Sequence, residues 1–208
     1  MSVVTIRGQL GSGAPEIGRL IADSLHADFV DREIIAKVAE RLSCPNQEVA
    51  VKEMPSGSLL GRIAAALVNS GLSLDKGPHL PTWEIQLGDT LYLSGLEYVI
   101  TELARNQPVV IQGRGSQYIL EDYPGSLHIL TVAPLEVRLK RVMEELQLDQ
   151  ESARKEISRI DDSRREFIKS YFGADQEDPM HYDIVINTEH LTFEEAASIV
   201  VHAIPFAE

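Results

Sequence analysis

Near its start the chain reads Val3-Val-Thr-Ile-Arg-Gly8-Gln-Leu-Gly11-Ser12-Gly13-Ala14-Pro15. The β-branched, apolar beginning of this stretch predicts a buried strand over Val3 to Ile6. A helix is predicted after the glycines, because Pro15 suits a first helical turn and the next apolar residues recur at helical spacing: Ile17, Leu20, Ile21 and Leu25. A strand, a glycine-rich turn and a helix N-terminus together form an anion site, since glycines let backbone N–H groups converge where the helix dipole favours negative charge.

The glycine-rich turn supplies the candidate phosphate-binding residues, which are Gly8, Gly11, Ser12, Gly13 and Ala14. The spacing of Gly8 and Gly13 equals that of the two glycines in the phosphate-loop motif G-x-x-x-x-G-K-[ST]. Ala14 and Pro15 stand where that motif has the lysine for the outer phosphates and the hydroxyl for magnesium. Two alternatives stay open: a tight turn without a ligand, and a dinucleotide site in which Asp31 binds a ribose hydroxyl. The dinucleotide spacing would need a glycine where Glu16 stands.

Further strands alternate with helical patterns, and this alternation predicts an α/β fold with a parallel sheet covered by helices. The strands are predicted at Asp28 to Val30, Val109 to Ile111, His128 to Val132 and Asp183 to Ile186. Helices are predicted after Asp31, from Glu84 to Arg105, from Leu135 to Leu146, from Asp149 to Phe172, and after a capping box of Thr192 and Glu195. Between Ser43 and Pro81 turn residues multiply around helical stripes, which is typical of an inserted helical subdomain.

Composition and charge narrow the classes of function. The 208 residues include 19 Lys and Arg against 32 Asp and Glu, a formal net charge of -13, so a nucleic acid partner would meet net repulsion. No run approaches the ~20 apolar residues of a membrane span, and no basic segment precedes an apolar one at the start. We therefore expect a cytoplasmic protein with no membrane partner. The single cysteine, Cys44, fits a reducing compartment, and the six scattered histidines have no metal-ligand spacing, so no protein metal site is predicted.

Arginines are the second group of candidate site residues. Arg114 follows the third predicted strand between Gly113 and Gly115, at a strand's carboxyl end, where open α/β sheets bind their ligands. A surface arginine in a glycine turn is the alternative. The segment from Pro134 to Phe172 holds nine of the 19 basic residues, but it also holds nine acids. Ordinary i,i+4 pairing on solvated helices accounts for most of these charges, although guanidinium groups also bind phosphates in bidentate fashion.

The order of several motifs resembles the cytidylate kinase-like family, relatives of cytidylate kinase among the P-loop nucleoside monophosphate kinases. The resemblance spans most of the chain. It is carried by Gln9-Leu-Gly-Ser-Gly13 with Glu16-Ile-Gly18, Asp31-Arg-Glu-Ile-Ile35, Val110-Ile-Gln-Gly-Arg-Gly115 with Tyr118-Ile-Leu120, Ala133-Pro-Leu-Glu-Val-Arg138, Asp161-x-x-Arg164 through Tyr171, Asp178-Pro179 with Tyr182-Asp183, and Ile186-Asn187-Thr188.

This resemblance implies a three-layer P-loop core within a single domain over residues 1–208, a helical monophosphate-binding insertion at residues 36–106 and a helical lid at residues 144–176. It also implies that the loop at Gly11, Ser12 and Gly13 holds the donor phosphates. By the same analogy Asp31 and Arg32, with Arg114, face the monophosphate acceptor. Arg138 and Arg164 are candidates for neutralising the transferred group, so Arg114, Arg138 and Arg164 are the catalytic candidates.

Two hypotheses about function remain open at this point. The first is a phosphotransferase that uses ATP and a nucleoside monophosphate or a similar small acceptor, with arginines replacing the loop lysine. The second is a catalytically inactive relative that senses a nucleotide or binds another protein. Magnesium has no clear protein ligand, since Pro15 has no side-chain oxygen. The expected partner is a small nucleotide, and a homo-oligomer is compatible with the sequence.

Overall fold

The computed structural model describes residues 2–31, 85–106 and 108–204. In chain order its elements are β1 (Val3–Gly8), α1 (Ala14–Leu25), β2 (Asp28–Val30), α2 (Ile85–Asn106), β3 (Val109–Gln112), α3 (Ser116–Ile119), β4 (Ser126–Val132), α4 (Leu135–Leu146), α5 (Gln150–Phe172), a 3-10 turn (Pro179–His181), β5 (Ile184–Asn187) and α6 (Phe193–Ala203).

The five strands form one sheet in the order β2-β3-β1-β4-β5, and every neighbouring pair is parallel. β1 is central: Val3 lies beside Val109 of β3 on one side and Ser126 of β4 on the other. The five strands predicted from the sequence are therefore confirmed. Because all strands run the same way, the loops after their carboxyl ends meet at one edge of the sheet.

Side chains alternate between the two faces of β1, and each face carries its own helical layer. Val4 and Ile6 are buried with residues of α1 and α6, including Ile17, Ile21 and Val200. Val3 is buried on the opposite face with residues of α2, including Leu96 and Ile100. The result is the predicted three-layer arrangement of helices, sheet and helices.

The two helices of the arginine-rich segment form a third apolar cluster. Leu139 and Val142 of α4 pack against Ala153 and Ile157 of α5. α5 begins where Asp149 caps the Ser152 N–H and ends at Gly173, whose φ of 65° is left-handed. The predicted helices over this segment are confirmed, and so is the capping box of Thr192 and Glu195.

The two predicted subregions differ in how much of them the structure describes. Of the predicted insertion at residues 36–106, the structure describes the last helix, which matches the expectation for Glu84 to Arg105 within one residue at each end. The helix predicted after Asp31 lies outside the described residues. The predicted lid at residues 144–176 is mostly α5, and its movement stays a prediction. Among the described helices, none combines the length and the apolar character needed to cross a bilayer.

A buried histidine on β4 gives the fold a predicted dependence on pH. His128 Nδ1 lies 2.8 Å from Thr5 Oγ1, and Nε2 lies 3.2 Å from Ser126 Oγ. Burial lowers the pKa of His128 below its ordinary value, although the nearby Asp183 carboxylate raises it in part. The unfolded chain thus binds a proton more readily, so the stability that neutral His128 contributes is complete above about pH 6.5 and is lost as the pH falls below it.

We expect the melting temperature to fall between pH 7.5 and 5.5 by more in the wild type than in a His128→Asn variant. Thermal unfolding at both pH values measures this difference. Equal slopes for the two proteins would mean that His128 is not responsible for the pH dependence.

Candidate functional site

The glycine-rich turn after β1 leads directly into the N-terminus of α1. Gly11 and Gly13 have φ values of 79° and 87°, a left-handed conformation that glycine adopts without strain. The Ser12 N–H donates to Gln9 O at 3.0 Å, which closes the turn. Ser12 Oγ donates to Gln9 O at 2.7 Å and lies 2.8 Å from Thr131 Oγ1 of β4. These contacts fix the turn against the end of the sheet.

Several backbone donors of this turn are unused. Within the described part of the chain, no hydrogen bond engages the N–H groups of Gly11, Gly13, Ala14 or Glu16. The N-cap Gly13 has no side chain that could cap the helix. Unbonded amides at a helix N-terminus attract anions, so the turn retains the donors that a phosphate-binding loop needs.

Three of the glycines lie where a side chain would collide with neighbours. A Cβ on Gly13 would lie 2.2 Å from the Phe193 ring of α6, and one on Gly11 would lie 2.8 Å from the Arg138 carbonyl. One on Gly8 would lie 2.1 Å from Thr131 Oγ1. The glycines predicted as phosphate-binding residues are thus also required by packing.

The predicted catalytic residue Arg138 takes part in a buried ion pair beneath the turn. Its Nη1 lies 2.6 Å from Asp161 Oδ2 of α5, and both side chains are nearly buried. Asp161 Oδ1 accepts from the Leu10 N–H at 3.0 Å, while Arg138 Nη1 donates to Leu10 O at 3.2 Å. One carboxylate and one guanidinium therefore hold both backbone groups of Leu10.

The other two catalytic candidates are both associated with α5: Arg164 belongs to this helix, and Arg114 contacts it. Arg164 of α5 donates from Nη1 to Gly8 O at 2.8 Å, so this helix reaches the turn directly. Arg114 has a φ of 56° between Gly113 and Gly115, and its guanidinium lies 5.7 Å from the centre of the Phe167 ring of α5. Arg138 and Arg164 thus each contact the loop, and Arg114 contacts the same helix α5 that carries Arg164.

The predicted acceptor-binding residues are placed less fully. Asp31 lies just after β2 and is partly buried, at the same edge of the sheet as the loop. Arg32 lies outside the described residues. For these two residues the assignment to an acceptor stays a prediction.

Residues 3–190 match the cytidylate kinase-like family, which is most of the chain. The chain belongs to this family. Cytidylate kinase of Methanopyrus kandleri is 32% identical over 111 residues, which cover 50% of this chain and 58% of that protein. Cytidylate kinase of Staphylothermus marinus is 30% identical over 92 residues, 44% of this chain and 51% of that protein.

Another relative has a different name. Uronate isomerase of Corynebacterium glutamicum is 33% identical over 92 residues, which cover 44% of this chain but 18% of that protein. The matched segments therefore span less than two thirds of each of these relatives.

Solved structures agree on the fold of this cytidylate kinase-like chain. An uncharacterized protein from Eubacterium ventriosum superimposes with a TM-score of 0.71 at 17% identity, covering 99% of both chains. A protein of Thermus thermophilus gives a TM-score of 0.52 at 18% identity, covering 97% of this chain and 96% of its own. The family and these superpositions establish the α/β P-loop fold that the motifs predicted.

The loop of this cytidylate kinase-like chain also has neighbours for which the sequence predicted no role. Arg141 of α4 donates to Gly11 O at 3.2 Å and to Thr188 O at 2.7 Å, and its guanidinium lies 5.0 Å from the centre of the Phe193 ring. Thr188 Oγ1 donates to Ser12 O at 3.0 Å. Asp161 Oδ1 accepts from the Leu10 N–H, and Arg7 directly precedes Gly8 in the chain. Of these residues, Arg7 could have been singled out from the sequence, because it is a charged residue in an otherwise uncharged strand. Arg141, Asp161 and Thr188 could not, because their contacts join residues that are far apart in sequence.

The loop offers little to a metal ion. Among the described residues, no three His, Cys, Asp or Glu side chains are grouped so that they could hold one. Pro15 provides no side-chain oxygen where the P-loop motif has its hydroxyl, so this position does not fit magnesium by side-chain coordination.

Proposed function

We propose that this chain binds a nucleotide at the loop Gly8 to Ala14 and transfers a phosphoryl group from ATP to a nucleoside monophosphate or a similar small acceptor. The observation that carries the proposal is the set of N–H groups at the start of α1 that no hydrogen bond engages within the described residues, those of Gly11, Gly13, Ala14 and Glu16. These amides lie in a member of a kinase-like family, and matched relatives are named cytidylate kinases. Family and geometry together support a nucleotide-kinase-like function.

Phosphoryl transfer depends mainly on positioning and on positive charge around the transferred group. An oxygen of the acceptor would attack the γ-phosphorus of ATP while the bond to the leaving ADP breaks. In this proposal the amides of the loop hold the donor phosphates, and Arg164, already bonded to Gly8 O, brings a cation to the loop. Arg138 positions the loop, since Asp161 already neutralises its charge. Arg114, Asp31 and Arg32 are the residues proposed to face the acceptor.

A coupled assay for ADP release tests the proposal directly. The full chain is mixed with ATP and CMP, UMP, AMP or GMP, each with and without magnesium chloride. Turnover with at least one monophosphate supports the proposal. Nucleotide binding in a thermal-shift experiment without turnover of any acceptor would contradict the transfer step and would favour a nucleotide-sensing protein instead.

Two adjacent arginines of α5 provide a matched pair of variants. Replacing Arg164 with methionine is expected to lower kcat by on the order of 10²-fold, because it removes a cation at the loop and leaves Gly8 O without its donor. Replacing Arg165, which pairs with Asp162 on the exposed side of the helix, is expected to change kcat less than about twofold. Equal effects of the two substitutions would show that Arg164 has no special role.

A further inference from the structure

Arg7 is the last side chain of β1 before the loop glycines, and it is buried. It is 6% exposed, and its place in the strand alternation puts it on the face of Val3 and Thr5, away from α1. The sequence Val3-Val-Thr-Ile-Arg7 is otherwise uncharged. A cation at such a position requires a physical explanation, because charged side chains are seldom buried without a partner.

The partners of Arg7 are neutral groups. Nη1 donates to Gln176 O and lies 3.5 Å from Tyr182 Oη, while Nη2 is buried without a hydrogen-bond partner. Across the described ranges, no ion pair within 4.0 Å includes Arg7, whereas the other nearly buried arginine, Arg138, is paired with Asp161. Burial raises the pKa of the nearby Tyr118 to about 12, so this phenol stays protonated and supplies no negative charge.

Other unsatisfied polar atoms lie on residues that share this environment. Gln117 donates from Nε2 to Tyr182 Oη at 3.2 Å, and Tyr182 Oη donates to Gln176 O at 2.7 Å. The Oε1 atoms of Gln117 and Gln176 are both buried without partners. Rotation of either carboxamide by half a turn presents its NH2 group instead. Arg7 and two glutamines therefore surround one phenol with more hydrogen-bonding capacity than the protein itself uses.

We propose that Arg7 is a phosphate-binding residue, whose unpaired Nη2 binds an oxygen of a nucleotide phosphate and supplies the positive charge that Ala14 cannot. This assignment rests on the proposed nucleotide-binding function. It follows from three observations. Arg7 directly precedes Gly8, its buried guanidinium pairs with no carboxylate among the described residues, and its Nη2 has no hydrogen-bond partner. A buried cation without an anion destabilises the fold, and a bound phosphate removes that penalty.

The proposal makes stability and binding change in opposite directions. In the absence of ligand, Arg7→Met is expected to leave the melting temperature unchanged or to raise it, because methionine fills similar space without an unpaired charge. The same variant is expected to weaken binding at least tenfold in isothermal titration calorimetry. The probes are sodium tripolyphosphate, ATP and CMP: loss for the first two indicates a donor phosphate, and loss for CMP alone indicates the acceptor phosphate.

Two further variants complete the test. Arg7→Lys retains the charge and is expected to bind more tightly than Arg7→Met, and Arg165→Met removes an exposed arginine and is expected to leave Kd and melting temperature unchanged. A lower melting temperature or failure to fold for Arg7→Met, or a Kd change below tenfold for every probe, overturns the assignment. Binding without turnover in the wild type would contradict the proposed phosphoryl transfer but not the assignment of Arg7 as a phosphate-binding residue. If the wild type binds none of the probes, both proposals are wrong.

Discussion

Replacing Asp161 with alanine is expected to lower the free energy of unfolding by about 3–5 kcal/mol, which is the usual cost of leaving one member of a buried ion pair alone. The substitution removes the carboxylate that lies 2.6 Å from Arg138 Nη1, and that guanidinium stays buried. It also removes the acceptor of the Leu10 N–H. A loss of this size is a large share of the ~5–15 kcal/mol that stabilises a typical domain.

The neighbouring residue is the control. Asp162, like Asp161, pairs with an arginine. Its partner is Arg165, and both members of that pair are about half exposed. Asp162→Ala should therefore cost less than about 1 kcal/mol. Urea unfolding of the two variants beside the wild type measures the difference. Similar losses for Asp161→Ala and Asp162→Ala would contradict the role assigned to the buried pair.

Replacing Gly13 with alanine is expected to destabilise the fold and to abolish binding of nucleotides at the loop. Alanine at a φ of 87° costs about 1–2 kcal/mol, because Cβ meets the following carbonyl oxygen. The new Cβ would also lie 2.2 Å from the Phe193 ring, and relief of such overpacking costs on the order of 1–3 kcal/mol. A shift of the loop backbone that relieves the contact moves the unbonded N–H groups of Gly13 and Ala14.

A Gly173→Ala variant separates the cost of the left-handed backbone from the cost of the clash with Phe193. Gly173 has a φ of 65°, but beyond its own chain neighbours no heavy atom of the described residues lies within 4 Å of the position that a Cβ would take. Gly173→Ala therefore isolates the backbone contribution. Denaturant unfolding should show a clearly larger loss for Gly13→Ala, and adding Phe193→Ala to Gly13→Ala should recover part of it. Calorimetric titration with ATP checks the binding prediction. Wild-type affinity in Gly13→Ala would mean that the loop amides do not hold the phosphates.

The sheet and its helices could be predicted because their signals are local. An apolar β-branched run such as Val109 to Ile111 has few alternatives to a buried strand, and Thr192 with Glu195 caps a helix through residues three positions apart. The family resemblance then ordered these elements. Such patterns identify elements and their order, and they also placed the candidate loop.

The contacts around the loop could not be predicted in the same way. Asp161 binds Leu10 across 151 positions of sequence, and Arg141 binds Gly11 across 130. No periodicity connects residues so distant, and in sequence Asp161 and Asp162 look alike although one is buried and the other exposed. For the same reason the sequence did not separate Arg138, which is neutralised by a carboxylate, from Arg164, which contacts the loop.

The central position of β1 determines when the sheet can assemble during translation. β1 is synthesised first, but its hydrogen-bonding neighbours are β3 and β4, which begin at Val109 and Ser126. A ribosome that adds ~5–20 residues per second needs roughly 5–20 s for the hundred or so residues in between. During that interval neither β3 nor β4 has been synthesised, so we expect the apolar segment Val3 to Ile6 to remain accessible to chaperones. A nascent chain halted before residue 109 should therefore remain sensitive to proteases, and one extended past β4 should acquire resistance.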